Sequence, residues 1–92
     1  MPLQVSIPTP LRNLTDNKDT VEATGATIGE VILNLDAQFP SIAERLIDKK
    51  TGRIQRFVNI YVNGENVRFM EDKDTPVTEK DEIFIEPAIA GG

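Results

Sequence analysis

Apolar and polar residues alternate near the start of the chain. Leu3, Val5 and Ile7 are separated by polar residues, which predicts a half-buried strand that the turn-forming segment 8–10 brings to an end in a loop. A second extended run covers residues 20–23 and follows a polar turn. The two runs together predict an opening hairpin.

The middle of the chain carries a helical pattern. Thr27 and Glu30 form a capping-box motif, and Pro40 ends the helix because the residue before a proline avoids the α region. A single apolar stripe predicts that this helix packs on a sheet. The stripe consists of Ile28, Val31, Ile32, Leu35 and Phe39.

A short second helix is predicted directly after Pro40. Ser41 and Glu44 repeat the capping-box motif, and the aliphatic residues that follow supply an apolar side. Thr51 and Gly52 mark the region where this helix fades out.

The clearest strand pattern runs from Ile54 to Val62. Asn63-Gly64 follows it as a strong hairpin signal, and residues 66–69 are predicted as the return strand. A fifth strand is predicted over residues 82–86, closed by Pro87. This order of elements predicts an α+β domain over residues 1–86, followed by an extended C-terminal tail over residues 87–92.

Alternation also predicts which side chains face outward. The aliphatic set Val58, Ile60 and Val62 is expected to face the core, as are Ile83 and Ile85. The aromatic residues at alternate positions then point away from it, and a cluster of exposed aromatics is typical of a docking surface. The predicted docking patch consists of Phe57, Tyr61 and Phe84, with Arg68 as a charged neighbour.

Composition narrows the classes of function. The 92 residues include no cysteine and no histidine, which removes disulfides, thiolate chemistry and the commonest general base. We therefore expect a protein that is not itself an enzyme, acting in the cytoplasm. No basic and apolar leader begins the chain, and no apolar run approaches the ~20 residues of a membrane span.

The net charge of −5 lies in the last third of the chain. Up to Gly64, seven acidic residues balance seven basic ones, whereas from Glu65 onward eight acidic residues accompany three basic ones. This distribution disfavours nucleic acid and favours a partner with a basic entrance.

The sequence ends in Gly91 and Gly92. Glycine lacks a Cβ, so an extended diglycine can enter a narrow tunnel and adopt backbone angles closed to other residues. The carboxylate of Gly92 is thus the candidate reactive group, although it is inert until something activates it. The preceding residues Ile89 and Ala90 are predicted to enter the tunnel with Gly91.

Five runs of residues complete the pattern: Val5-Ser6-Ile7-Pro8, Arg45-Leu46, the run from Arg56 to Asn63, Val67-Arg68-Phe69, and the run from Pro87 to Gly92. With these runs, the chain resembles the ubiquitin-like β-grasp proteins, and within them the MoaD/ThiS-like sulfur carriers. The resemblance is greatest to CysO-type carriers of cysteine biosynthesis. It implies a mixed sheet of about five strands packed on one main helix and a short second helix, with a flexible C-terminal tail.

The resemblance implies a mechanism that depends on partner enzymes. A ubiquitin-activating-like adenylyltransferase of the MoeB/ThiF type would use ATP and Mg²⁺ to adenylate Gly92, and a sulfur donor would convert it to a thiocarboxylate. A cysteine synthase that holds pyridoxal phosphate (PLP) would accept the sulfur, and a metalloprotease would release the product. No cofactor of its own is expected, and the free carrier is expected to be a monomer.

Three other functions fit the same residues. The chain could be the small subunit of a molybdopterin synthase, which would use the same thiocarboxylate at Gly92. It could be a ubiquitin-like modifier that joins Gly92 to lysines of target proteins. A plain β-grasp interaction module would retain full activity without Gly91 and Gly92.

Overall fold

The opening hairpin forms as the alternation predicts. In a computed structural model, which describes residues 2–88, strand β1 (Leu3–Ser6) pairs antiparallel with β2 (Thr20–Ala23). The segment after β1 is more ordered than the predicted loop, because Thr9–Leu14 forms a 3₁₀ helix with a proline in its first turn. Thr15 then closes the turn, and its buried Oγ1 donates to the carbonyl of Lys18 at 3.0 Å.

The main helix, α1 (Ile28–Gln38), confirms the capping prediction. Thr27 Oγ1 accepts from the backbone N–H of Glu30 at 3.2 Å, and Glu30 Oε1 accepts from the N–H of Ala26 at 3.0 Å. These two bonds satisfy donors that would otherwise be unpaired at the helix start. The helix ends one residue before Phe39, as expected for a residue that precedes Pro40.

The second helix, α2 (Ile42–Leu46), is present, but the predicted cap is wrong. Ser41 adopts a left-handed backbone with φ of 83° and makes no side-chain cap. The carboxylate of Asp36 caps the helix in its place, because its Oδ1 accepts from the N–H groups of Ser41 at 3.1 Å and of Ala43 at 3.0 Å. A carboxylate at a helix N-terminus is also favoured by the helix dipole.

The third strand is shorter than predicted. β3 covers Val58–Val62, whereas residues 54–57 lie outside it. Two backbone N–H groups of this segment bond outside the sheet. The N–H of Ile54 donates to Asp72 Oδ1 at 2.9 Å, and the N–H of Gln55 donates to the carbonyl of Leu46 at 2.9 Å. These bonds hold the segment against α2 and the loop at residue 72, so it does not pair with the sheet.

The predicted return strand over residues 66–69 is wrong beyond its first residue. The Asn63-Gly64 turn is confirmed, with positive φ at both residues, but β4 covers only Glu65–Asn66. Asn66 Oδ1 then accepts from the N–H of Arg68 at 2.9 Å, and Val67–Phe69 forms a 3₁₀ turn. A local asparagine bond of this kind competes with strand pairing.

The last strand, β5 (Glu82–Pro87), completes a mixed five-stranded sheet. The strand order is β2-β1-β5-β3-β4, in which β5 runs parallel to β1 and antiparallel to β3. This confirms the predicted α+β class. The predicted core faces are also confirmed, since Val58, Ile60, Val62, Ile83 and Ile85 are all buried. No helix within residues 2–88 is long and apolar enough to span a membrane.

Gly25 lies where the chain passes directly onto the first turn of α1. A Cβ on this residue would stand 2.6 Å from the backbone nitrogen of Val31 and 2.9 Å from the carbonyl carbon of Glu30. Neither atom can move without disturbing the helix. We expect Gly25→Ala to lower the free energy of unfolding by about 2 to 4 kcal/mol, measured by chemical denaturation.

Gly64→Ala is the matched control for that substitution. Gly64 also has a positive φ, of 88°, but nothing lies within 4 Å of the point that a Cβ would occupy. The free energy of unfolding of Gly64→Ala should fall by only about 1 kcal/mol, because alanine adopts a positive φ less readily than glycine. Equal losses in the two variants would show that the close approach at Gly25 is unimportant.

Asp81 ties the Asn63-Gly64 turn to the loop before β5. Its carboxylate accepts from the N–H of Thr78 at 2.8 Å and from Asn63 Nδ2 at 2.7 Å, and these bonds lower the pKa of Asp81. A lowered pKa stabilises the fold above the unfolded-state value, and this stabilisation is lost as the pH falls through the folded-state value. We expect denaturation midpoints of the parent to fall over that acidic range more steeply than those of Asp81→Asn.

A row of residues across the open face of the sheet

Strand register brings two of the predicted docking residues together. Tyr61 on β3 lies opposite Phe84 on β5, and both belong to a row that crosses all five strands. Directly opposed side chains on one face lie within contact distance. The row, in strand order from β2 to β4, consists of Thr20, Ser6, Phe84, Tyr61 and Asn66.

This face of the sheet lies opposite the buried core. Along β5 the buried residues Ile83 and Ile85 alternate with exposed ones, so Phe84 points outward with 38% of its surface exposed. Tyr61 is half-buried. Phe84 and Tyr61 therefore form the apolar centre of the row of five residues. We call this row the aromatic row.

Carboxylates flank the aromatic row on both sides. On one side, Glu82 and Glu22 each lie opposite Gln4, which is two residues before Ser6 on the same face. On the other side, Glu86 lies opposite Asn59, two residues after Phe84. Part of the acidic excess in the last third of the chain thus lies on this face. A partner surface with a basic rim around an apolar pocket would complement it.

Arg68 lies beside this face but its guanidinium bonds internally. Nη2 donates to the carbonyl of Val58 at 2.6 Å and to that of Gln55, and Nε donates to Asn59 Oδ1 at 3.4 Å. The side chain is half-buried. These bonds hold the irregular segment before β3 in place, so the contacts of Arg68 favour a structural role over the predicted docking role.

Removal of this guanidinium should destabilise the fold. Arg68→Ala would leave two backbone carbonyls without their charged donor, and we expect a loss of about 2 to 4 kcal/mol in the free energy of unfolding. Arg56→Ala is the control because Arg56 is exposed, and it should change stability by less than about 0.5 kcal/mol. Similar losses for the two arginines in urea denaturation would contradict the structural role.

Phe57 does not share the aromatic row. It precedes β3, is 56% exposed, and lines a cavity of about 190 Å³ at the end of the sheet with residues of the 3₁₀ segment and of β5. Its carbonyl accepts from the N–H of Ala88 at 2.8 Å. The predicted patch is therefore divided, with Tyr61 and Phe84 together on the face and Phe57 where the chain leaves β5.

The predicted tail begins inside the sheet. Pro87 is the last residue of β5 and lies opposite Val58, and Ala88 bonds to Phe57. The predicted insertion residues Ile89, Ala90, Gly91 and Gly92 lie outside the described residues. Their roles stay predictions.

Sequence patterns do not reveal the other exposed apolar residues. Phe69 is 88% exposed at the end of the 3₁₀ turn after β4, Met70 directly after that turn is 44% exposed, and Leu33 on α1 is 68% exposed. The strand predicted over residues 66–69 gives no sign of the exposure of Phe69. The signal that could have found it is Asn66, a residue that readily caps the turn that follows it.

Residues 2–88 contain no group of three or more acidic side chains arranged to hold a metal ion. The features that these residues do provide are two outward aromatic side chains flanked by carboxylates, and a strand end at Ala88 close to them.

Comparison with known proteins matches this chain along its whole length. The model of the ThiS family matches residues 5–92. The sulfur carrier protein CysO of Mycobacterium tuberculosis is 47% identical over 93 residues, covering 100% of both chains. A crystal structure of M. tuberculosis CysO has a TM-score of 0.91 at 45% identity and covers 95% of this chain and 99% of that one.

Two further relatives extend the comparison. A chain of the Amycolatopsis orientalis BexX/CysO complex has a TM-score of 0.89 at 41% identity, covering 98% of this chain and 99% of that one. Small archaeal modifier protein 3 of Haloferax volcanii is 33% identical over 67 residues, covering 73% of this chain and 71% of the relative.

Proposed function

The chain belongs to the ThiS family, and we propose that it is a sulfur carrier whose Gly92 carboxylate is converted to a thiocarboxylate. The observation that carries this proposal is the 47% identity over the full length to a protein named sulfur carrier CysO. The family match includes Gly92 itself. We further propose that the sulfur serves cysteine biosynthesis, as the resemblance to CysO implies.

The proposed activation has two steps. An oxygen of the Gly92 carboxylate attacks the α-phosphorus of ATP, the bond to pyrophosphate breaks, and an acyl adenylate forms. A hydrosulfide-level sulfur donor then attacks the acyl carbon, and the bond to AMP breaks. The products are AMP, a proton and a thiocarboxylate, which is a nucleophile on a protein that partners can recognise.

Catalysis belongs to the partners in this proposal. An adenylyltransferase of the MoeB/ThiF type would hold ATP and Mg²⁺, and a cysteine synthase would hold the PLP that supplies the electrophilic acceptor. A metalloprotease would free the product, and all would act in the cytoplasm. This chain contributes the sulfur atom, its reach and its docking surface.

The aromatic row supports a docking role in this proposal. Phe84 is exposed, Tyr61 lies directly opposite, and carboxylates flank both of them. Aromatic side chains at the centre of a polar surface are typical anchors of protein interfaces. We therefore expect the activating enzyme to present a basic rim to this face.

Intact-mass analysis tests the proposed function directly. The protein is purified without reductive or acidic treatment from its own cell, and an oxygen-to-sulfur mass increase is sought and assigned to Gly92 by fragmentation. A cysteinyl addition at the same residue would support the cysteine pathway. A purely unmodified carboxylate, in a cell that expresses the activating enzyme, would contradict the proposal.

A modifier function is the second candidate. The identity of 33% to an archaeal protein named as a modifier favours it. Isopeptide adducts between Gly92 and lysines of other proteins, found in cell extracts without free thiocarboxylate, would support this candidate. Binding to a pterin-synthase large subunit and not to a cysteine synthase would instead favour the molybdopterin pathway.

A further inference from the structure

Three segments meet where the chain leaves the sheet toward Gly92. The first is the end of β5, and the second is the 3₁₀ segment Thr9–Leu14. This segment follows β1, which is parallel to β5 and therefore ends at the same edge of the sheet. The third segment is the turn before β3, whose Phe57 carbonyl accepts from the N–H of Ala88 at 2.8 Å. Ala88 is thus held at a defined point between them.

A small cavity opens at this point. It has a volume of about 190 Å³, several times the ~30 Å³ that one water molecule occupies in the liquid, so it can admit a side chain. Proline rings fix much of its wall because proline locks its own backbone. The part of the wall that is not buried, which we call the collar, consists of Pro8, Pro10, Arg45, Phe57, Glu86 and Pro87.

The collar is continuous with the aromatic row. A second, open groove of about 600 Å³ runs along the other side of the end of β5, and Phe84 and Arg12 line it. Pro8, Pro10 and Pro87 line both cavities. A partner that covers Phe84 can therefore reach the collar without crossing an unrelated surface.

The distance from Ala88 to Gly92 limits how far a partner can stand away. Four residues span at most about 13 to 14 Å when fully extended. A tunnel wall made of a single helix is already about 10 Å thick, so most of the reach from Ala88 to Gly92 lies inside the partner. An enzyme that acts on Gly92 in a closed site must bring its surface against the collar.

We propose that the collar seats the mouth of the tunnel through which a partner receives Gly92. The occupant is an enzyme surface with one apolar side chain for the cavity beside Phe57, a carboxylate opposite the exposed Arg45 and a basic group opposite the exposed Glu86. This inference rests on the proposed function. It adds a second contact site beside the aromatic row, at a position set by the length of the tail.

Two pairs of variants test the collar. Phe57→Ala is compared with Phe69→Ala, which removes a more exposed phenylalanine that does not line the cavity, and Arg45→Glu is compared with Arg53→Glu, which does not line it either. The readout is the initial rate of the oxygen-to-sulfur exchange at Gly92 in an ATP-supplemented extract of the source cell, followed by intact mass. We expect each collar variant to react about tenfold more slowly than its control.

A spacer variant separates contact from folding. Insertion of Gly-Ser-Gly-Ser between Ala88 and Ile89 lets the partner stand away from the collar, so Phe57→Ala and Arg45→Glu should cost less than about twofold in that background. Equal rates for Phe57→Ala and Phe69→Ala without the spacer would overturn the collar alone. A parent protein that is never modified at Gly92 would overturn the proposed function and the collar together.

Discussion

Deletion of Gly91 and Gly92 is expected to abolish thiocarboxylate formation while leaving the domain folded. The reacting carboxylate would then belong to Ala90, two residues short of the position that the activating enzyme reaches. Even a displacement of about 1 Å can cost on the order of a hundredfold in rate, and this displacement is about 7 Å. Intact mass in the ATP-supplemented extract should show no oxygen-to-sulfur exchange at any time.

Gly92→Ala is the companion variant for this deletion. It keeps a carboxylate at the same position and adds only a Cβ. A reduced but measurable rate for this variant would show that the Cβ hinders entry of the tail into the enzyme, and that the deletion is inactive because its carboxylate is out of reach. Thermal unfolding should be unchanged in both variants, because the buried core lies between Leu3 and Ile85. Full activity of the deletion variant would contradict both covalent hypotheses and leave the plain interaction module.

The regular elements of the fold were predictable because their patterns are local. The capping box at Thr27 and the alternation along β5 each act within a few residues, and the structure confirms both. The Asn63-Gly64 turn is equally local. Such local patterns predict the element correctly whenever the rest of the fold buries its apolar side.

The failures share a different physical cause. Residues 54–57 look like a strand, yet Asp72, eighteen residues away, accepts the N–H of Ile54 and removes it from the sheet. Asp36 caps α2 in place of Ser41 from five to seven residues away, across the turn at Pro40 and Ser41. In both places a side chain outside the predicted element bonds to its backbone, and the path of the folded chain decides which side chain reaches that backbone.

The candidate site shows the same division. Alternation within β3 and β5 correctly places Tyr61 and Phe84 on the outer face, but only the register between these strands shows that they are direct neighbours. The same alternation, carried one step before β3, groups Phe57 with them although the strand begins at Val58. Phe57 instead lies at the exit of the tail, where its carbonyl bonds Ala88.

Substitution of both aromatic residues should weaken activation strongly without changing the tail. Phe84→Ala with Tyr61→Ala removes the apolar centre of the face, and truncation of central aromatic anchors typically costs at least about 2 kcal/mol of binding, or roughly thirtyfold. We expect the rate of oxygen-to-sulfur exchange at Gly92 to fall by at least that factor at limiting carrier concentration. At saturating carrier the rate should largely recover, because the chemistry at Gly92 is intact.

Leu33→Ala provides the control, since Leu33 is an apolar side chain that is 68% exposed on α1, and α1 packs on the opposite face of the sheet. It should change the rate by less than about threefold, because it lies outside the proposed docking face. If the aromatic double variant reacts like this control while the Gly91-Gly92 deletion is inactive, the carboxylate chemistry stands and the docking face is elsewhere. The collar would then be the contact that remains to guide the partner, since four residues after Ala88 still limit how far away it can bind.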